Sequence, residues 1–338
     1  MKVLMPTIYY PHLGGITQHV DNLVKNLKDI EFHILTYDYT TPKYKNVVIH
    51  NVNYLKKFRG ISYLYNAYKL AKKIIEKEEI DLIHSHYAFP QGFLGALLKD
   101  KFNIPYILTL HGSDALFLKN SLKGKLFFNY SIKKADEVIC VSKAIKNEVG
   151  KGVVIYNGID IEKYKNLGDE NYILYVGAFL KTKGVDILAE ISKELNYKFI
   201  FIGDGPLFNK VKKIVKDNVI LLGKKQHSEV INYLGRCSFV AVPSRIEGFG
   251  LVALEGFASY KPVVAFNRYG LRELITNNYN GFLANNKEEF KEYIITLMED
   301  ENLRKTLGKN ARKTAEKFSW KKTAEKVREI YEKVISSQ

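Results

Sequence analysis

Two cysteines in 338 residues, Cys140 and Cys237, leave no room for a disulfide framework or a thiolate metal cluster. Both lie in apolar, strand-like runs and read as buried core thiols. No apolar run approaches the ~20 residues of a membrane-spanning helix, and Lys2-Val3-Leu4-Met5 ahead of Pro6 is too short for a secretory signal. The expected location is therefore cytoplasmic. Acidic residues are scarce beside basic ones, 36 Asp and Glu against 52 Lys and Arg, a net charge of +16. That imbalance points to anionic partners: phosphate ligands, anionic lipid or nucleic acid. No nucleic-acid motif or aromatic-glycine signature accompanies it, so nucleic acid is not expected. The length exceeds the usual single domain and supplies enough apolar residues for two cores.

Strand-like segments recur along the first half at Lys2 to Pro6, Phe32 to Thr36, Asp81 to His84, Tyr106 to Leu110, Glu137 to Val141 and Val153 to Tyr156, mostly with helical stretches between them. This alternation predicts a parallel sheet with helices on both faces. Gly14-Gly15 follows the first strand and precedes a helix carrying Ile16, Val20, Leu23, Val24 and Leu27 on one face, so backbone could pass close to a phosphate there, or the pair could serve as a tight turn. His84 and His86 are read as pointing to opposite faces of their strand, with no metal-ligand set. His111 ends another strand at the carboxyl edge, where it could be structural or functional. Basic and aromatic residues mix between Tyr54 and Lys77 and again over residues 117–134, a composition that suits an anionic membrane surface as well as an ordinary helix packed on a sheet.

The charged segment Ile161 to Asp169 is placed as the inter-domain linker. The strand and helix pattern then restarts, with strands at Tyr172 to Val176, Lys198 to Ile202, Val219 to Leu222 and Pro262 to Phe266. Gly203-Asp204-Gly205-Pro206 starts like a dinucleotide fingerprint, but Phe208 replaces its third glycine, which disfavours a nicotinamide enzyme. The most informative stretch is Ser238 to Tyr260. An apolar strand stops at Pro243-Ser244, a polar loop follows, and an almost wholly apolar helix begins near Gly250. The first amides of that helix, around Phe249 to Leu251, favour an anion. Glu255 follows roughly 7.5 Å along the axis and needs a partner in so apolar a helix. One ligand could span Glu247, the helix start and Glu255. Equally, Glu255 could pair with a buried Arg such as Arg272 while Glu247 is solvated; charge spacing alone does not choose.

Pro243-Ser244, Glu247-Gly248-Phe249-Gly250 and Glu255 together resemble the E-x7-E signature of the GT-B glycosyltransferases of family 4, which retain anomeric configuration. Gly14-Gly15 with His19, His111-Gly112, Asn157-Gly158-Ile159-Asp160, Lys183-Gly184 and Gly203-Asp204-Gly205-Pro206 fall in that family's order, so the resemblance covers essentially the whole chain. It implies an α/β GT-B fold: two doubly wound Rossmann-like domains with a cleft between them, an acceptor-binding domain over 1–163, a nucleotide-sugar-binding domain over 170–317, and a helix over 318–338 crossing back to the first. It also implies transfer of a hexose or N-acetylhexosamine from a UDP- or GDP-sugar to a glycan, sugar or lipid hydroxyl, with no cofactor and no metal.

Carried onto this sequence, the resemblance makes Glu255 a ribose ligand and sets Glu247 against the transferred sugar. The backbone at Phe249, Gly250 and Leu251 holds sugar and diphosphate, approached by Gly14 and Gly15 from the other domain. Lys183 neutralises phosphate charge and His111 meets the sugar. One position departs: Ala178 stands where the family usually has Arg, and Lys181 or Arg245 is expected to compensate. A nucleotide-sugar sensor without catalysis and a GT-B nucleotide-sugar 2-epimerase are the alternatives. Association with the inner face of an anionic membrane is a further expectation.

Overall fold

The computed structural model describes residues 1–12, 14–117 and 122–337, and the chain divides into two compact units, Met1–Gly158 with Trp320–Gln338 and Ile159–Ser319. Part of the second basic and aromatic stretch, 118–121, lies outside the described residues. In the first unit the strands are β1 (Lys2–Pro6), β2 (Glu31–Thr36), β3 (Val47–Asn51), β4 (Leu82–His86), β5 (Tyr106–Leu110), β6 (Glu137–Cys140) and β7 (Val153–Val154). They form one parallel sheet in the order β3-β2-β1-β4-β5-β6-β7. The second unit carries β8 (Tyr172–Val176), β9 (Lys198–Ile202), β10 (Val219–Leu221), β11 (Phe239–Val242), β12 (Val263–Phe266) and β13 (Gly281–Ala284), again all parallel, in the order β10-β9-β8-β11-β12-β13.

Helices cover both faces of a parallel sheet, which is why the central strands read as continuous apolar runs. Every residue of β4, β5, β11 and β12 is buried. The helix Trp320–Ser336 presents Ala324, Val327, Tyr331 and Val334 to the same core as Val3, Leu23 and Phe32, and so completes the first unit.

Three expectations need correction. The segment 161–169 is not a linker, because the division falls between Gly158 and Ile159 and the segment straps onto the second unit. Its charge suggested solvent, yet Tyr164 is 4% exposed and Asp169 bonds Ser238 Oγ at 2.6 Å and Arg304 at 3.1 Å. Strands β3 and β13 escaped notice: β3 is an edge strand with exposed Val48, and β13 is four residues led by Gly281. His84 and His86 share a face, as residues two apart on a strand must, and their ring centroids lie 4.3 Å apart.

Candidate active site

In the second unit the strand order reverses between β8 and β11, and the loops leaving the carboxyl ends of these two strands meet. Backbone N–H groups of Arg245 and Ile246 donate to the Thr182 carbonyl at 2.9 and 3.2 Å. Gly184 allows this approach: it has φ +70°, and a Cβ there would stand 1.8 Å from the Pro243 carbonyl oxygen. The contact brings Lys183 Nζ to 2.7 Å from Glu247 Oε2, which also accepts from Ser244 Oγ at 3.2 Å. Glu247 is thus a largely covered carboxylate in an ion pair, not a solvated loop residue.

The helix Leu251–Ala258 starts beside this pair. Gly250 caps it in the left-handed region at φ +103°, where a Cβ would also press on Leu271 at 2.8 Å. The first intrahelical bond runs from the Leu254 N–H to the Gly250 carbonyl at 3.0 Å, so the amides of the first turn face outward along the axis. Phe249 packs on Phe318 with its side chain buried and can offer a ligand only backbone. Glu255, one and a half turns on, is buried; Tyr164 OH donates to its Oε1 at 3.3 Å and His227 Nε2 lies 3.8 Å away. Arg272 takes no part, for its guanidinium donates to the Asn267 carbonyl. Tyr164 and His227, far apart in sequence, are neighbours of Glu255 that spacing could not reveal.

Arg245 does not supply a free fork. Its guanidinium grips Asp186 at 2.7 and 3.0 Å and the Lys181 carbonyl at 2.6 Å, which ties the two loops together and leaves the charge compensated. The Lys181 side chain is exposed, and Ala178 uses its carbonyl to accept from Tyr175 OH at 3.0 Å. Gly203 serves packing: a Cβ there would stand 1.9 Å from the Gly177 carbonyl.

At the carboxyl edge of the first sheet, four imidazoles gather. His86 Nδ1 and His111 Nε2 are 3.1 Å apart, and His19 lies 5.2 and 5.0 Å from their rings by centroid. His84 bonds through both nitrogens, to Tyr331 OH at 2.6 Å and Thr109 Oγ1 at 2.7 Å. The Asn157 side-chain oxygen accepts from His19 Nδ1 at 2.7 Å, which fixes that tautomer and leaves Nε2 as a lone pair. Burial lowers His19 to about 4 and His84 to about 3, and burial with the neighbouring rings drives His86 and His111 well down, so all four are neutral at physiological pH. A neutral imidazole at a strand end can both donate to and accept from a sugar hydroxyl. Asp114 holds the turn after His111 by accepting the backbone N–H of Gly112 at 2.8 Å, Ala115 at 3.0 Å and His111 at 3.1 Å. Gly14, extended at φ 174°, would meet nothing with a Cβ, so the fold itself makes no steric demand for glycine there; Gly15 opens the helix Gly15–Asn26.

A family model described as glycosyl transferases group 1 matches residues 158–314, and one described as glycosyltransferase family 4 matches residues 13–163. An uncharacterized glycosyltransferase of Methanocaldococcus jannaschii is 57% identical, with 99% of each chain covered. The chain belongs to the group 1 glycosyltransferases. Among solved structures, a sucrose-phosphate synthase of Thermosynechococcus elongatus matches this glycosyltransferase with a TM-score of 0.89 at 20% identity, covering 100% of both chains. Anabaena HepE in complex with UDP-glucose matches with a TM-score of 0.80 at 21% identity, covering 98% of this chain and 100% of that one. The fold of the glycosyltransferase is GT-B, with two parallel-sheet α/β domains.

Within the second unit, the structure brings Lys183, Glu247 and the start of the helix Leu251–Ala258 together as the sequence suggested, and sets Glu255 on the same helix. In the first unit, His111 belongs to a group the sequence did not assemble. The available signal was that β4 and β5, which carry His84, His86 and the approach to His111, are neighbours in a doubly wound sheet.

Proposed function

We propose that this glycosyltransferase moves a hexose or N-acetylhexosamine from a UDP- or GDP-sugar to an acceptor hydroxyl with retention of anomeric configuration. The observation that carries the reading is the 2.7 Å pair of Lys183 and Glu247 beside the first-turn amides of Leu251–Ala258. When the bond from the anomeric carbon to the diphosphate breaks, negative charge grows on the leaving oxygens; amides and an ammonium group fixed in advance stabilise it without a metal. In this reading Lys183, assisted by the exposed Lys181 in place of the arginine absent at Ala178, takes the diphosphate. Glu255 takes the ribose hydroxyls and Glu247 lies against the sugar. Phe249, Gly250 and Leu251 contribute backbone to the same second-unit site. The acceptor oxygen attacks the face from which the diphosphate departs, and its proton passes to the leaving phosphate oxygen. An inverted product anomer, read by NMR, would overturn this mechanism.

The complex of HepE with UDP-glucose favours a uridine donor. Thermal melting with UDP-, GDP- and ADP-sugars is the test: a UDP- or GDP-sugar at a hundred times its Kd stabilises by about 2.7 kcal/mol. A melt that no nucleotide sugar shifts would sink the proposal. Ala178 favours a second reading, a nucleotide-sugar sensor, and binding without transfer or hydrolysis would select it.

The acceptor is best read as lipid-linked, part of a glycan precursor at the inner face of an anionic membrane. Among the described residues no helix is long and apolar enough to cross a membrane. The helix Arg59–Glu78 buries Tyr63, Ala67, Ala71 and Ile74, while Leu55, Phe58, Ile61 and Tyr65 form an outward stripe, each more than half exposed. Lys56 and Lys57 flank this stripe, whereas Arg59 stacks over Tyr37 at 4.2 Å and is not a free membrane contact. On the same helix, Lys69 and Lys73 line an open depression of about 350 Å³ with Asn51, Val52, Asn53, Asn66 and Leu70, where two ammonium groups could meet an anionic headgroup. Vesicles rich in anionic lipid are expected to sediment the protein, and Phe58→Ser with Ile61→Ser to release it; equal sedimentation of both proteins would remove the membrane from the reading.

A further inference from the structure

A group with metal-ligand chemistry stands elsewhere in the first unit, away from the carboxyl edge of its sheet. Glu31 and His33 are two apart on β2 and share a face, and Glu78, the last residue of the helix Arg59–Glu78, comes down onto the same face. One ligand atom from each of the three lies within 4.8 Å of the others. His33 is the buried member, its side chain 2% exposed, and its Nε2 points at Glu31 Oε1, 2.8 Å away. Its other nitrogen, Nδ1, is 3.0 Å from Nε2 of His50 on β3, with the two rings stacked at 5.2 Å.

We propose that Glu31, His33 and Glu78 bind a divalent transition metal of the zinc class, with His50 orienting His33. One imidazole nitrogen and two carboxylate oxygens are ligand types that zinc accepts and leave a fourth position for water, and bonds of 2.0–2.2 Å place tetrahedral ligands about 3.4 Å apart, within the spread of these atoms. A metal-bound histidine needs a partner for its other nitrogen, and His50 is already there. In the free protein, His33 Nε2–H donates to Glu31 and His50 Nε2–H donates to His33 Nδ1. With metal on His33 Nε2, the proton of His33 moves to Nδ1 and donates to His50 Nε2, while the proton of His50 moves to its Nδ1. Each ring keeps one proton, and the two carboxylates balance the charge of the ion. Lys2 and Lys77, which contact Glu78 at 3.5 and 3.3 Å, must release it; Lys77 is 81% exposed and free to swing away. The site uses none of the groups assigned to sugar transfer, so it stands or falls independently of them.

The test is calorimetric titration of chelator-treated protein with Zn2+ alone, paired with thermal melting. One saturable site per chain and a raised Tm are expected. Glu31→Gln and Glu78→Gln, both at partly exposed positions, should each weaken binding by at least tenfold while the metal-free Tm changes little. His50→Gln should weaken it by about tenfold with the stoichiometry kept. Absence of saturable binding up to millimolar Zn2+, or unaltered affinity in both glutamine variants, would overturn the proposal.

Discussion

Lys183→Ala is expected to lower kcat/KM by roughly 10²–10³ while the protein remains folded. The size follows from removing one fixed charge from a developing anion, a loss of about 3–4 kcal/mol in the transition state. The fold is spared because Lys183 is 34% exposed and its ion pair is open to water on one side, where such pairs contribute little to stability. The loss should fall mainly on kcat, since in the proposed reaction charge on the diphosphate rises as the bond breaks. Glu247→Gln provides the comparison. It keeps the shape of the loop but removes the anion that holds Lys183, so the lysine is free to move and activity should fall as well. If Lys183→Ala transfers sugar at the parent rate, the second-unit site described above is not where the diphosphate leaves.

Acidification from pH 7 to pH 5 is expected to destabilise the first unit substantially. The unfolded imidazole titrates near 6.5, while His19 is lowered to about 4 and His84 to about 3 by burial. Between those values the unfolded chain binds more protons than the folded one, so stability is full above pH 6.5 and falls with pH below it. Each of these two histidines then costs roughly 2 kcal/mol at pH 5. His86 and His111 act in the same direction. Asp114 opposes them, because burial raises it to about 6 and it gains a proton in the folded state first, returning roughly 1 kcal/mol over the same interval. The net sign stays with the histidines. Denaturant titrations at pH 7, 6 and 5 should show a steady decline, shallower for His84→Gln. Stability that stays level from pH 7 to 5 would mean the four rings are not held neutral.

How much of this was legible in the sequence depends on range. The run Phe239–Val242, Pro243, Gly250 and the apolar helix could be read locally, because strand, breaker and helix start each leave a mark within a few residues. What Glu255 touches could not, since Tyr164 lies 91 residues away. Arg245 looked like a free cation because only Glu247 stands near it in the sequence, whereas its neighbour in space is Asp186 in the first turn of the helix Val185–Glu194. The segment 161–169 misled for a related reason. Charge density suggested solvent, but one buried tyrosine and one aspartate paired with Arg304 are enough to fasten it. The histidines were each visible, and the error at His84 and His86 was one of strand geometry rather than of missing information.

The helix Trp320–Ser336 is made after the whole second unit, yet its Tyr331 and Val327 fill the interior of the unit that precedes it in the chain. During synthesis residues 1–158 therefore leave the ribosome without this interior wall. The apolar surface around Val3 and Leu82 stays uncovered until that helix emerges, and His84 waits for its tyrosine. The second unit, Ile159–Ser319, is continuous in the chain and can finish folding before the first. A nascent chain stalled short of residue 320 would accordingly hold a finished second unit attached to an unfinished first one, the state most exposed to chaperones and proteases.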